Sequence, residues 1–231
     1  MVALFVVATI IVFLVVDYFV QRAAKRKAVA APVAEASAKA RFIIPKGYFF
    51  GRGHTWVEQL SNGMVRVGLD DFVQKIVGRV DGINFVEAAN NLSRGDRLFT
   101  IRQGDKEMSF RSPISGKIVA FNEELTSSPA LLNKEPYKQG WVVIVEPADS
   151  EKEFRLMARG NEAAQWVKEE IKRFRNFITS QSTGSPALAG VTLMDGGVPV
   201  DGVMEHSSKE AWEKFEKNFL ANDDAGSGTN Y

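Results

Sequence analysis

Few side chains in this sequence could do chemistry, and one of them stands out by its position. The stretch TIRQGDKEMSFRSPISG, residues 100–116, alternates apolar residues on both sides of a Gly-Asp-Lys turn. That pattern predicts a β-hairpin with Lys106 exposed at its tip. A lysine there offers a primary amine to solvent, and the question is what the amine is for.

Other reactive groups are scarce. The chain has no cysteine, which excludes disulfides, iron–sulfur clusters, thiolate zinc sites and cysteine nucleophiles. Its two histidines, His54 and His206, leave little for a metal site or a catalytic triad, and no metal ligands are expected. His54 lies two residues before Trp56 at a strand start, an arrangement that reads as structural. No catalytic set emerges, and the chain reads as a non-enzyme. The glycines at 184, 190, 196 and 197 form no phosphate-binding fingerprint, because no strand-to-helix turn carries them at the needed spacing.

Composition bounds the rest. With 231 residues, 45% hydrophobic and 25% charged, the chain can bury one or two ordinary cores, and its net charge of +1 gives no sign of nucleic acid as a partner. Residues 1–20, MVALFVVATIIVFLVVDYFV, carry a single charge at Asp17, and at about 1.5 Å per residue they reach the ~30 Å of a bilayer core. The basic residues Arg22, Lys25, Arg26 and Lys27 follow this run instead of preceding it. The order argues for an uncleaved single-pass anchor in the inner or plasma membrane, its C-terminal side in the cytoplasm. Asp17 stands near Arg22 and can pair with it or reach toward the interface. The Ala-rich residues 28–41 read as a tether. Residues 1–41 hold six Lys/Arg and two Asp/Glu, so 29 − 6 = 23 basic face 28 − 2 = 26 acidic residues beyond. Attachment to the membrane therefore rests on the apolar run, not on a basic surface.

The body of the chain reads as mainly β. Strands are expected at 64–69, 84–86, 97–102, 108–111, 116–122 and 141–147, separated by Gly, Asn, Asp and Pro. A short helix is expected at DDFVQKIVG, capped by Asp70 or Asp71 and stopped by Gly78. Val167, Ile171, Phe174 and Ile178 form one apolar stripe on a helix from about Asn161. A last helix, SSKEAWEKFEKNFL, has Ser207 and Glu210 at capping-box spacing, with Trp212, Phe215 and Phe219 on one face. The segment MDGGVPVDGVM (194–204) reads as turns, and the final AGSGTNY as disordered. The organisation is thus an anchor (1–21), a basic flank and tether (22–41), a β domain with a C-terminal helix (42–178) and an extension (179–231).

The runs GHTWVE, NGMVRVGLDDFVQKIVG, INFVEAANNLSRGDRLFTI and SPISGKIVAFNEELTSSPALLNKEPYKQGW, in this order over about residues 53–175, resemble the H protein of the glycine cleavage system. The resemblance implies a lipoyl-type barrel-sandwich hybrid, in which a lysine at a hairpin tip carries lipoate through an amide bond. Such an arm needs a tight, rigid, exposed turn that a modifying enzyme and partner enzymes can reach.

The sequence departs from the family at that point. The family's ESVKA pattern is absent, and its lysine falls eight residues before the proline of SP-x-SG, which is Asp105 here. Lys106 stands one residue late, and a slip of one residue reverses the face of a strand. Two functions remain. One is a tethered lipoyl carrier modified on Lys106, shuttling intermediates or electrons between partner enzymes. The other, preferred here, is an unlipoylated H-like module without a cofactor, acting as a structural or docking subunit of a cytoplasm-facing membrane complex. The displaced lysine, the anchor and the aromatic last helix all favour a fixed partner over a diffusing carrier.

Overall fold

The computed structural model describes residues 42–86, 91–182 and 201–221. The apolar run, the basic flank and tether, residues 87–90, the part of the expected 194–204 turns before residue 201, and the final tail lie outside the described residues. Among the described residues no helix is long and apolar enough to cross a membrane.

Among the described residues, ten strands form two antiparallel sheets: β1 (Tyr48–Phe50), β2 (Thr55–Gln59), β3 (Val65–Leu69), β4 (Gly82–Phe85), β5 (Asn91–Leu92), β6 (Arg97–Gln103), β7 (Lys106–Arg111), β8 (Gly116–Phe121), β9 (Trp141–Pro147) and β10 (Ala158–Arg159). Seven strands run in the order β10-β1-β2-β3-β9-β8-β5, and three in the order β4-β6-β7. The architecture is mainly β with flanking helices. Each expected strand is present within a residue or two. The four that the alternation does not announce are β1, β2, β5 and β10, which are short or lie beside Gly and Thr turns.

Apolar residues of both sheets, including Val57, Val67, Val143, Phe99, Ile101 and Phe110, meet in one core. Trp56 is fully buried opposite Gly68, where a Cβ would stand 2.4 Å from the indole, so that glycine admits the ring. Helix α1 (Asp71–Val77) starts where Asp70 accepts from the Val73 N–H and ends at Gly78, whose φ of 73° suits glycine. Two single-turn helices, α2 (Glu124–Ser127) and α3 (Leu131–Lys134), and the short α4 (Ser150–Arg155) fill connections.

The long helix α5 spans Gly160–Ser182 and therefore runs past residue 178. Val167, Phe174 and Ile178 of its stripe are buried, and Ile171 is half-buried. The last helix, α6 (Lys209–Phe215), continues into a π-helical turn over Glu216–Leu220. Its N-cap is Ser208, which accepts from the Ala211 N–H, and not Ser207 as the capping-box spacing suggested. Ser207 is instead drawn inward, with its hydroxyl donating to the Val203 carbonyl at 3.4 Å. Trp212, Phe215 and Phe219 are all buried, as expected of that face. Phe215 stacks on Phe219 at 4.7 Å and meets Phe174 of α5 edge-on at 5.7 Å. The C-terminal segment is therefore part of the same core as the sheets.

Candidate functional site at the end of the β6–β7 hairpin

The hairpin has the register Gln103↔Lys106, Arg102↔Glu107, Ile101↔Met108 and Thr100↔Ser109. The loop between the strands is therefore the pair Gly104-Asp105. Gly104 has a φ of 59° and Asp105 a negative one, the pattern of a type II′ turn, which needs glycine first. The Asp81 carboxylate accepts from the Gly104 N–H at 2.9 Å and pins the turn to the start of β4.

This register corrects the expectation of an exposed lysine. The exposed residues at the tip are Gly104 and Asp105. Lys106 is the first residue of the return strand, and only 8% of it is accessible. Side chains of a strand alternate between faces, so Lys106 shares its face with Met108 and Phe110, both fully buried.

The lysine enters the protein beneath the C-terminal segment. Its Nζ donates to the carbonyls of Glu205 at 2.6 Å, Ser207 at 3.3 Å and Met204 at 3.4 Å. It also stands 4.9 Å from the centroid of the Trp212 ring. Burial pushes the ammonium below its ordinary pKa of 10.5, while the Asp105, Glu205 and Asp81 carboxylates work the other way. An ammonium has three protons to donate and no acceptor capacity, so three carbonyls and an aromatic face suit it.

The turn that supplies these carbonyls is itself fastened to α1. The Gly202 N–H donates to the Lys75 carbonyl at 2.6 Å and the Met204 N–H to the Ile76 carbonyl at 3.0 Å. The Glu205 carboxylate accepts from the Arg79 N–H at 2.7 Å. Farther along β7, the Glu216 carboxylate accepts from the Ser109 N–H at 3.1 Å, covering part of that strand's outer edge. The Met204, Glu205 and Ser207 carbonyls are main-chain groups, which leave no mark in a sequence. Trp212 alone carried a signal, through its place on the aromatic face.

His54 forms a separate buried cluster. Its φ is 60°, and its ring lies between Phe72 at 4.6 Å and Trp166 at 4.9 Å, stacked on both. Nδ1 is 2.8 Å from Asp70 Oδ2, and Nε2 is 3.6 Å from Glu170 Oε2. Burial favours the neutral ring, but the Asp70 carboxylate, followed by Glu170, outweighs it and lifts the pKa to about 9. A charged imidazole here joins the start of α1 to α5, which agrees with a structural part for His54. His206 is exposed. Among the described residues no group of three or more His, Asp or Glu side chains is arranged to hold a metal ion.

An amide-linked lipoyl arm requires an amine that opens to solvent. As arranged here, the hairpin end does not fit one: the exposed tip residue is a carboxylate, and the neighbouring amine is enclosed.

The family model for the glycine cleavage H-protein matches residues 48–170, more than half of the chain. The chain is 28% identical over 127 residues to the probable glycine cleavage system H protein of Pyrococcus horikoshii, covering 55% of this chain and 94% of that one. It is 32% identical over 104 residues to the glycine cleavage system H protein of Coprothermobacter proteolyticus, covering 45% and 82%. A crystal structure of the H protein of Mycobacterium marinum aligns with a TM-score of 0.42 at 24% identity, over 46% of this chain and 87% of that one. The chain belongs to the glycine cleavage H-protein family.

Proposed function

We propose that this chain is a membrane-anchored, unlipoylated member of its family that serves as a structural or docking subunit of a cytoplasm-facing membrane complex. The observation that carries the reading is the hairpin end, where Asp105 takes the tip and Lys106 is shut under the C-terminal segment. An unreachable amine cannot load or hand over a carried group, whereas a rigid β module remains a good platform for fixed contacts. The membrane part of the proposal is supported by the apolar residues 1–20 and the basic residues that follow them. Other protein subunits are the partners, and lipoate is not required.

The test is purification of the full chain from membranes of its own cells in mild detergent. A docking subunit co-elutes with other subunits, and its mass carries no lipoyl increment. A chain that elutes alone, or one that bears lipoate, contradicts the proposal.

A further inference from the structure

The segment that encloses Lys106 lies outside the 48–170 stretch shared with the family. All three acceptors around Nζ come from residues 204–207 and are main-chain carbonyls. Trp212 contributes twice: its ring faces the ammonium, and its Nε1–H donates to the Met204 carbonyl at 2.8 Å, holding one wall of the enclosure in place. The footing on α1, through Gly202, Met204 and Glu205, does not involve Lys106 at all. The enclosure therefore has a footing on α1 separate from the amine it covers.

We infer that residues 201–212 are a built-in mask over the hairpin amine, an autoinhibitory contact that withholds Lys106 Nζ from acylation until the 204–207 turn lifts away. Acylation needs an unprotonated Nζ in line with an activated acyl carbon. The new C–N bond forms as the C–O bond to the leaving group breaks, and one proton passes to solvent. In the closed arrangement the carbonyls hold the ammonium protons and Trp212 covers the approach. The inference deepens the docking reading and rests on it only in explaining why a lysine beside the tip stays bare.

The mask is tested with the acetyl ester of N-hydroxysuccinimide, an activated acyl donor, on the full chain in mild detergent. Acetylation rates are read lysine by lysine by mass spectrometry, with the exposed Lys117 as internal reference. Lys106 is expected to react at least about 100-fold more slowly than Lys117 in the native chain, and at a similar rate in urea, because only opened molecules react. Two variants loosen the mask by different means. Trp212→Leu removes the indole wall, and Gly202→Ala strains a turn whose φ is 74° and brings a Cβ to 2.8 Å from Glu205 Oε1. Either is expected to raise the Lys106 rate at least about tenfold while Lys117 is unchanged. A native ratio below about tenfold, or two folded variants that leave Lys106 as slow as before, overturns the inference. A fast Lys106 would also remove the observation behind the docking reading, but native mass and co-elution decide that reading by themselves, so a bare, complexed chain whose Lys106 reacts quickly fails the mask alone.

Discussion

The Nζ atom of Lys106 stands 4.9 Å from the centroid of the Trp212 ring, a contact between residues more than one hundred positions apart in the chain. It joins the β6–β7 hairpin, inside the 48–170 family match, to an extension outside it. The lysine has thus become a fastener between the two. A silent Lys106 substitution, which an exposed turn lysine would give, is not expected.

Lys106→Met keeps the apolar stem and removes the ammonium, leaving the Glu205 and Ser207 carbonyls without that donor. Losing the partner of buried polar groups costs about 1–3 kcal/mol, and the urea unfolding midpoint should fall accordingly. Lys117→Met, at an exposed position, should stay within about 0.5 kcal/mol of the parent. Equal midpoints for the two variants would show that the enclosure contributes nothing to stability.

The His54 cluster makes stability depend on pH in a defined direction. The folded-state pKa of about 9 lies above the ordinary 6.5, so the folded state binds the proton more tightly. Its contribution is fully present below about 6.5 and is lost as pH rises through about 9, with a size on the order of 3 kcal/mol. Glu170 acts at the other end. Burial raises its pKa, but His54 and Arg173 hold it below the ordinary 4.5, so its contribution is lost as the solution is made acid. Urea melts from pH 6 to 10 should show the alkaline decline in the parent and a flatter profile in His54→Gln. Parallel profiles would exclude a charged His54.

The hairpin was legible in outline and misleading in one detail. Alternation located both strands, but the Gly-Asp-Lys turn put Lys106 at the tip, where the register places the pair Gly104-Asp105. The same alternation carried the orientation of Lys106, since Lys106, Met108 and Phe110 share one parity and the last two are plainly apolar. The enclosing carbonyls were not legible, because main-chain groups have no residue-type signature and the segment that supplies them is distant in sequence. Short strands such as β5 and β10 escaped for a related reason: two residues cannot display a period.

Asp105→Lys puts an amine at the exposed tip while leaving the enclosure of Lys106 intact. In cells that lipoylate H proteins, the variant should gain a lipoyl adduct that maps to position 105 and not to Lys106. An adduct on Lys106 in this variant would show that the enclosure does not protect the native amine.

The anchor makes its own prediction. The full chain should sediment with membranes and need detergent for release, as the apolar residues 1–20 imply. Recovery of the full chain in the supernatant without detergent would remove the membrane from the account.

Function without a lipoyl arm, as proposed for this chain, is decided by the intact mass of the full chain purified from its native host. The expected mass has no lipoyl increment, and peptide maps show Lys106 unmodified in molecules that co-purify with partner subunits. A stoichiometric lipoyl increment that maps to Lys106 would contradict it.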